Sequence, residues 1–321
     1  MKTSVATIKK PLKKRAPRRK LSKSDVYLLL LTVPFIGIVF LFFYLPLFGW
    51  SYAFVNYHPG ISIFKQSFMG LKYFIQMFRP GSNFLQSIGD TLALGFLNLV
   101  MTPLPMILAL LLAEISSRKL SRVFQTVSSI PYFISWVLVF SIAFAFFSNQ
   151  GVFNTLLINL GIIKNPTNLL GNNSLAWYFQ TAIGVWKNLG WSAILYIAAL
   201  SSVDQGLYEA AEIDGAGRFK KAIHISLPGL TPTYAVLLLL AIGNILGANG
   251  SGNGFEQFFV FKNPLVADKL NVLDVFVYQQ GIAGTQYSFA VAVGIFKSVV
   301  SVILLFSANM VLKKTTGRSI T

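Results

Sequence analysis

Two lysines lie where a charged side chain is most costly. Lys187 and Lys297 fall near the middle of long apolar stretches, and a lysine at the centre of a membrane-spanning helix costs about 2.5 to 3.5 kcal/mol on insertion scales. Such a lysine either pairs with a buried polar group or a partner subunit, or lines a path where it binds hydroxyls or carboxylates of a solute. Both alternatives are open from the sequence, and the second favours an acidic cargo.

The stretch that contains Lys187 also carries residues suited to a sugar. Asn188 and Trp191 follow Lys187 closely, and Asn244 and Asn249 lie at or after the end of the next apolar stretch. Aromatic rings pack on the apolar faces of a sugar, and amides hydrogen-bond its hydroxyls. Packing or membrane-interface roles for the aromatics, and helix-to-helix hydrogen bonds or turns for the asparagines, are the alternatives. The predicted substrate-pathway residues are Lys187, Asn188, Trp191, Asn244, Asn249 and Lys297.

Groups that would support an enzyme are missing from the sequence. It has no cysteine and only two histidines, His58 and His224, so it offers neither thiolate ligands nor a histidine-based metal site. No paired carboxylates lie in the apolar stretches, and no Gly-x-x-x-x-Gly-Lys-Ser/Thr phosphate-binding loop occurs in the chain. We therefore predict no catalytic residue, no metal site and no cofactor in this chain.

The composition is that of a protein dissolved in lipid. Hydrophobic residues make up 54% and charged residues 12% of the 321 positions, whereas a soluble domain has roughly 25% charged residues. A helix needs about 20 apolar residues to cross a bilayer. Six stretches meet this requirement and predict an all-α integral membrane protein with spans at 27–50, 91–113, 127–147, 175–199, 231–248 and 287–311.

The net charge of +17 is concentrated before the first span. Ten of the 27 Lys and Arg residues lie between Lys2 and Lys23, with no acidic residue among them. Nucleic-acid binding needs a basic face on a soluble fold, whereas a basic tail before a span places that terminus in the cytoplasm. The predicted organisation is a cytoplasmic tail at 1–26, a transmembrane domain at 27–314 and a cytoplasmic C-terminal tail at 315–321.

A polar, helix-prone loop at about 201–230 separates the fourth and fifth predicted spans on the cytoplasmic side. Ser202 and Gln205 have the spacing of a capping box, and Gly215 suits the left-handed conformation that ends a helix. We therefore predict a helix of about two turns up to Asp214, then a second short helix from Ala216 toward Leu227, until Pro228 interrupts it and starts the next span. An interfacial helix pair between two spans is the simplest interpretation.

The residue pattern of this loop is more specific than its helix propensity. It reads Glu-Ala-Ala, two residues, Asp-Gly-Ala, and later Ile-x-Leu-Pro, and so resembles the EAA loop of permease subunits of binding-protein-dependent (type I) ABC importers. The resemblance implies the fold of those permeases and a coupling helix at about 207–219 that docks on an ATP-hydrolysing subunit. The implied coupling residues are Glu209, Ala210, Ala211, Asp214, Gly215, Ala216 and Phe219, with Ile225, Leu227 and Pro228 completing the pattern. Family members often have tryptophan where this chain has Phe219 and a bulky aromatic where it has Ala222.

Weaker motifs extend the resemblance over about 26–314 to carbohydrate permeases of the oligosaccharide and polysaccharide branch. They lie in order at 130–136, 254–257, 263–266 and 277–278. The resemblance implies a second homologous permease subunit, two ATP-binding subunits that carry ATP and Mg, an extracytoplasmic solute-binding protein, and a sugar or oligosaccharide cargo at the bacterial cytoplasmic membrane. It also makes Glu256 a candidate for docking the binding protein or closing the outer gate, beside an ordinary turn-stabilising role.

Other classes of membrane protein share some of these features. A secondary transporter or channel subunit for a small polar solute would also have kinked spans with intramembrane lysines, but it would not need the Glu-Ala-Ala loop. A structural membrane scaffold would need no ATPase partner. The loop therefore favours the permease of an ATP-driven importer.

Overall fold

The computed structural model describes residues 22–248 and 254–316, and most of these residues are helical. Within these ranges no β-strand forms, although Val55 and Phe68 make an isolated β-bridge. The chain divides into two units, Met1–Trp50 and Ser51–Thr321. Six described segments are long and apolar enough to cross a membrane, which confirms the predicted number of spans; they are Lys23–Phe54, Phe84–Ala113, Trp136–Asn159, Ala176–Leu200, Arg218–Gly243 and Tyr287–Lys314.

The fourth and sixth spans are single α-helices, whereas the others join shorter segments. The α-helices are Lys23–Val39, Lys72–Met77, Phe84–Val100, Pro103–Ala113, Arg118–Ser129, Trp136–Phe147, Val152–Asn159, Ala176–Leu200, Gln205–Ile213, Arg218–Lys221, Leu227–Gly243, Phe255–Phe261, Leu273–Tyr278 and Tyr287–Thr316. The 3-10 helices are Leu45–Phe54, Ile63–Lys65, Ile130–Phe133 and Ile245–Gly247, and the π-helical turns are Phe40–Tyr44, Ala222–Ser226 and Gln279–Ala283.

Two of the π-helical turns end two residues before a proline. Phe40–Tyr44 precedes Pro46, and Ala222–Ser226 precedes Pro228. Proline lacks an N–H, and its ring clashes with the carbonyl four residues earlier in a regular α-helix, so a wider turn lets the backbone pass the ring. Pro228 lies in the first turn of Leu227–Gly243, as predicted for a residue that starts this helix. The predicted interruption is wrong, because helical structure continues from Arg218 to Gly243 through the π-helical turn.

The third span begins at Trp136 rather than at the predicted position 127. A separate helix, Arg118–Ser129, ends in the 3-10 turn Ile130–Phe133. Ser135 then starts the span as an N-cap, and its hydroxyl accepts a hydrogen bond from the Leu138 N–H at 3.4 Å. The prediction failed because apolar residues near 127–130 belong to the exposed face of the preceding helix, which the hydropathy of the sequence cannot separate from a span.

The helices of the second unit pack around three apolar clusters. One includes Leu94, Trp136, Phe258 and Phe261, and a second includes Phe84, Phe276, Phe289 and Val293. The third joins the second, fourth and fifth spans through Ala109, Ala193, Tyr196 and Leu230. This third cluster lies in the spans that enclose the predicted coupling loop and the Lys187 region, so it fixes the elements from which the candidate site is built.

Candidate coupling site and translocation path

The loop between the fourth and fifth spans contains one short capped helix, Gln205–Ile213, which we term the loop helix. Asp204 is its N-cap, and the Asp204 carboxylate accepts a hydrogen bond from the Gly206 N–H at 2.9 Å. The predicted cap is wrong: the fourth span continues to Leu200, so the Ser202 hydroxyl donates to the Ala199 carbonyl at 2.7 Å. An aspartate at the N-cap stabilises the helix start in the same way as a serine would.

The C-terminal end of the loop helix is built as predicted. Gly215 has a φ of +73°, in the left-handed region that glycine adopts without strain. The Ala216 N–H donates to the Ala211 carbonyl at 2.8 Å, and the Gly215 N–H donates to the Glu212 carbonyl at 3.0 Å. These two bonds form a Schellman motif, which satisfies carbonyls at the helix end and turns the chain back toward the fifth span.

Three side-chain contacts fasten the loop helix and its neighbour to the rest of the unit. Tyr208 and Ser226 share a hydrogen bond between their hydroxyl oxygens at 2.9 Å. Lys221 donates to the Glu212 carboxylate at 2.6 Å, and this hydrogen bond lowers the pKa of the Glu212 carboxyl below its usual value. Arg218 donates to the Ser116 hydroxyl at 2.9 Å, which ties the loop to the segment after the second span. The loop helix is therefore positioned by specific contacts.

The opposite side of this region is open. Ile213 is 88% exposed and Phe219 is 77% exposed, and Leu207 is also exposed. Glu209, Ala210, Asp214 and Gly215 are exposed, whereas Ala211 and Ala216 are half-buried. Among the described residues the ion pairs are Lys221 with Glu212 and Lys297 with Asp274, so Glu209 and Asp214 present unpaired charges. Exposed aliphatic and aromatic side chains beside unpaired carboxylates make a surface suited to another protein.

The Lys187 side chain binds the backbone of the 3-10 turn that precedes the third span. Its side chain is buried at 6% exposure, and Nζ donates to the carbonyls of Pro131, Tyr132 and Ile134 at 3.1, 2.6 and 2.6 Å. These carbonyls lie at and just after the 3-10 turn Ile130–Phe133, where a helix end offers free acceptors, although the Pro131 carbonyl also accepts a hydrogen bond from the Ile134 N–H at 3.2 Å. A cation at this end also complements the helix dipole. The structure thus gives Lys187 the buried polar partners of the first sequence-based alternative.

Next to Lys187 the fourth span forms one wall of a cavity of about 300 Å³. Trp191 of the fourth span stacks on Tyr132 of the 3-10 turn Ile130–Phe133, and both rings line the cavity; their centroids are 4.6 Å apart and their planes are inclined by 7°. Polar side chains from the second and fourth spans complete the lining; they are Asn98, Thr102, Asn188 and Ser192. An aromatic platform with neutral donors and acceptors suits the ring faces and hydroxyls of a sugar. The structure therefore brings two predicted pathway residues, Asn188 and Trp191, into one cavity.

The other predicted pathway residues lie elsewhere. Lys297, in the sixth span, forms an ion pair with Asp274 at the start of Leu273–Tyr278, and both side chains are about one-fifth exposed. Asn244 is exposed at the end of Leu227–Gly243, and Asn249 lies outside the described residues. Glu256 is exposed in the first turn of Phe255–Phe261. Lys297, Asn244 and Glu256 do not line the cavity that contains Asn188 and Trp191.

Sequence reasoning missed several residues that build both regions. Asn98, Thr102 and Ser192 gave no signal, since single polar residues in spans are common, and Tyr132 appeared only as part of the motif at 130–136. Asp204, Tyr208 and Ser226 were also missed around the loop helix. Asp274 as the partner of Lys297 was the one omission with a usable signal, because an acidic residue near a span is a natural counter-ion for a lysine within it.

Comparisons with known proteins cover nearly the whole chain. Residues 101–317 match the family described as binding-protein-dependent transport system inner membrane component. Protein LplB of Bacillus subtilis (strain 168) is 40% identical over 296 residues, which are 91% of this chain and 90% of LplB. The polygalacturonan/rhamnogalacturonan transport system permease protein YteP of the same bacterium is 37% identical over 308 residues, 94% of this chain and 93% of YteP.

Two crystal structures share this fold. One is a bacterial ABC transporter involved in the import of the acidic polysaccharide alginate, with a TM-score of 0.80 and 31% identity over 92% of this chain and 97% of that chain. The other is a bacterial alginate ABC transporter in complex with an alginate pentasaccharide-bound periplasmic protein, with a TM-score of 0.81 and 31% identity over 93% of this chain and 98% of that chain. The family match over residues 101–317 includes the loop helix and, in the cavity, Asn188 and Trp191.

Proposed function

The chain belongs to the family of binding-protein-dependent transport system inner membrane components, the permeases of ABC importers, and we propose that its cargo is an oligosaccharide. The proposal is supported by YteP and by the alginate transporter, whose names state saccharide cargoes. The single observation that carries the mechanism is the loop helix. It is fixed by caps and side-chain contacts on one side and leaves Ile213 exposed on the other, and Phe219 of the neighbouring helix Arg218–Lys221 is exposed as well.

The loop helix is the proposed contact with the motor. The sequence contains no phosphate-binding loop, so ATP and Mg belong to two partner ATP-binding subunits in this account. Closure of those subunits around ATP would move the loop helix, and its ties through Tyr208, Glu212 and Arg218 would carry the movement into the fifth span and the segment after the second. The spans would then alternate between two openings of the path.

The proposed assembly has further members and a defined orientation. A second, homologous permease subunit completes the path, and an extracytoplasmic solute-binding protein delivers the cargo, as the alginate complex with its periplasmic protein illustrates for that transporter. The loop helix and both termini lie in the cytoplasm at the bacterial cytoplasmic membrane, in keeping with the basic residues before the first span and at Lys313 and Lys314. Glu256, exposed in the first turn of Phe255–Phe261, remains the candidate for the binding-protein contact.

Within the membrane we propose that Asn188 and Trp191 meet the cargo. Trp191 presents an exposed ring stacked on Tyr132, and Asn188 donates one amide hydrogen to the Gly184 carbonyl at 2.8 Å while lining the same cavity. Lys187 acts on the cargo through Tyr132, whose carbonyl it holds. Since Lys187 and Lys297 are both paired, the donors of the cavity itself are neutral, and the acidity of the cargo would be read by other groups of the assembly.

Uptake by the assembled complex in vesicles tests this proposal. ATP-dependent uptake of the oligosaccharide that the solute-binding protein retains best should fall about tenfold in Trp191→Ala and less in Trp191→Phe, which keeps a stacking ring. Asn188→Ala should lower uptake by a smaller factor. Thermal unfolding of each variant separates a loss of cargo contact from a loss of stability. Uptake by the chain alone without ATP would contradict the importer assignment and favour a secondary transporter.

A further inference from the structure

The helix Arg118–Ser129, which we term the basic helix, lies outside the six candidate spans and turns an apolar face outward. Leu120, Val123, Phe124 and Val127 have the i, i+3, i+4, i+7 spacing of one helix face, and each is 49 to 57% exposed. An exposed apolar stripe of this kind needs a partner that removes it from water. We propose that this partner is the membrane interface and that the cations at the start of the basic helix bind the phosphates of anionic lipids.

The side of the basic helix that faces the protein is small and polar. Ser121 donates its hydroxyl to the Leu112 carbonyl at 2.9 Å, and Ser129 is buried. The fourth span approaches so closely that a Cβ added at Gly190 would lie 2.2 Å from the Ser128 carbonyl group. Soluble proteins bury the apolar face of a surface helix and expose its polar face. The basic helix has the reverse arrangement, which is typical of helices that pack through small residues and face lipid.

Length and position place the start of the basic helix at the edge of the bilayer. Its 12 residues extend for about 18 Å at 1.5 Å per residue, too short for a hydrocarbon core of about 30 Å. The bond from Ser121 to Leu112 puts its first turns beside the last residues of Pro103–Ala113, where the second span ends. The last residues of the basic helix lie deeper, because Ser128 packs against Gly190 well inside the fourth span. The cations at the start of the basic helix can therefore reach the headgroups while the apolar stripe extends toward the acyl chains.

The positive charges at the start of the basic helix favour an anionic lipid headgroup. Arg118, Lys119 and Arg122 are exposed, and within the described ranges none of them forms a salt bridge. Arg218 brings another guanidinium close, through its 2.9 Å hydrogen bond to Ser116, whereas the nearest acidic residue in sequence, Glu114, is half-buried. Cations next to an apolar stripe can reach lipid phosphates while their aliphatic stems stay on the hydrocarbon side. The charge complementarity therefore favours anionic lipid over a neutral lipid or an apolar protein surface.

A fluorophore on a single cysteine tests where the apolar stripe lies, because the chain has no native cysteine. Val123→Cys is labelled in the complex assembled with its partner subunits in vesicles of phosphatidylcholine and phosphatidylglycerol, and quenching by brominated acyl chains is measured. Quenching at position 123 is expected, with brominated phosphatidylglycerol quenching more strongly than brominated phosphatidylcholine at equal mole fraction. The matched control is Ile213→Cys on the loop helix, where neither lipid should quench.

Charge variants test the headgroup. In the Val123→Cys background, Arg118→Gln, Lys119→Gln and Arg122→Gln together should lower the preference for phosphatidylglycerol at least about fivefold, because the cations that attract the anionic headgroup are removed. The control removes three exposed cations elsewhere, Lys65→Gln, Arg79→Gln and Lys164→Gln, and should keep the preference. Arg118→Lys with Arg122→Lys should also keep it, because the charge remains.

The lipid preference of quenching can also be measured at different salt concentrations, with the three cations in place, so this measurement does not depend on the stability of a charge variant. The preference of the native sequence around position 123 should weaken as ionic strength rises, because exposed charges are screened. Equal quenching by the two lipids, or a preference that survives the three charge removals, would overturn the proposal. Quenching in the isolated chain that disappears in the assembled complex would also overturn it and would assign the stripe to the second permease.

Discussion

The loop helix and the Lys187 region are both polar features of a hydrophobic chain, and they are built in opposite ways. The loop helix uses consecutive residues, a local cap at each end and an outward face that the chain leaves uncovered. The Lys187 region gathers groups that are 53 to 56 residues apart and satisfies the buried charge with three backbone carbonyls. The loop helix is exposed and has an outward face that this chain does not cover, whereas the Lys187 ammonium is buried and hydrogen-bonded within the chain.

This difference follows from the solvent that each region meets. Inside the bilayer a charged group without partners is costly, so the fold must supply those partners itself. Outside the bilayer, water covers exposed side chains until a partner protein replaces it, and an open apolar face then contributes to binding. Loss of the contacts of Lys187 should therefore reduce the stability of the chain, whereas loss of the exposed face of the loop helix should reduce the activity of the assembly.

The largest expected effect on stability is that of Lys187→Met. This change removes the Lys187 donor from the carbonyls of Tyr132 and Ile134, whereas the Pro131 carbonyl keeps the Ile134 N–H at 3.2 Å. Since each unsatisfied buried group costs about 1 to 3 kcal/mol, the free energy of unfolding should fall by about 3 kcal/mol or more. Lys297→Met is the matched control, and it should cost less because Asp274 is partly exposed. Thermal unfolding in detergent measures both. Unchanged stability with altered uptake in Lys187→Met would show that this lysine lines the path instead.

Ile213→Glu should affect only the assembly. A central apolar contact typically contributes about 2 kcal/mol to binding, so cargo-stimulated ATP hydrolysis by the complex should fall about thirtyfold at limiting concentrations of the ATP-binding subunits. The stability of the chain should change by less than about 0.5 kcal/mol, because Ile213 is 88% exposed. Ile162→Glu, the same change at another exposed isoleucine, should leave ATP hydrolysis intact. Equal losses in the two variants would remove the distinction between the regions.

Gly190→Ala tests the packing that surrounds Lys187. An added Cβ would lie 2.2 Å from the Ser128 carbonyl group, so the fourth span and the basic helix must separate, and the cost should be about 1 to 3 kcal/mol. Gly89→Ala is the control within the second span, where an added Cβ meets nothing within 4 Å and should be neutral or slightly stabilising. Denaturation midpoints of the two variants provide the comparison. A Gly190→Ala chain as stable as Gly89→Ala would contradict the close approach.

Gly215→Ala should have the smallest effect, about 1 kcal/mol. The left-handed backbone at φ +73° is strained for alanine, so the loop helix would end less firmly and coupling should weaken severalfold. Gly217→Ala is the control, since Gly217 has a φ of −68° and open space around it. ATP hydrolysis per cargo transported measures coupling in both variants. If the Gly217 variant were the more strongly uncoupled, the Schellman end would not be the important feature of this loop.

The sequence predicted the six spans and the end of the loop helix, because both depend on residues that are neighbours in the chain. Gly215 and Asp214 carry their signal locally, and so do long apolar stretches. The Ser202 cap failed since it depended on where the fourth span stops, and the start of the third span failed since exposed apolar residues at 127–130 look like part of a span. The partners of Lys187 are backbone carbonyls, which have no side-chain signature in any sequence.

Cross-linking from Ile213 tests whether the loop helix contacts an ATP-binding subunit. With no native cysteine in the chain, Ile213→Cys offers one site for a short bifunctional reagent in the assembled complex. We expect a cross-link to an ATP-binding subunit, with a yield that changes when ATP is added. We also expect no reaction of the cysteine at position 213 with a membrane-impermeant thiol reagent applied outside intact cells. Labelling from outside, or the absence of any cross-link to a nucleotide-hydrolysing subunit, would contradict it.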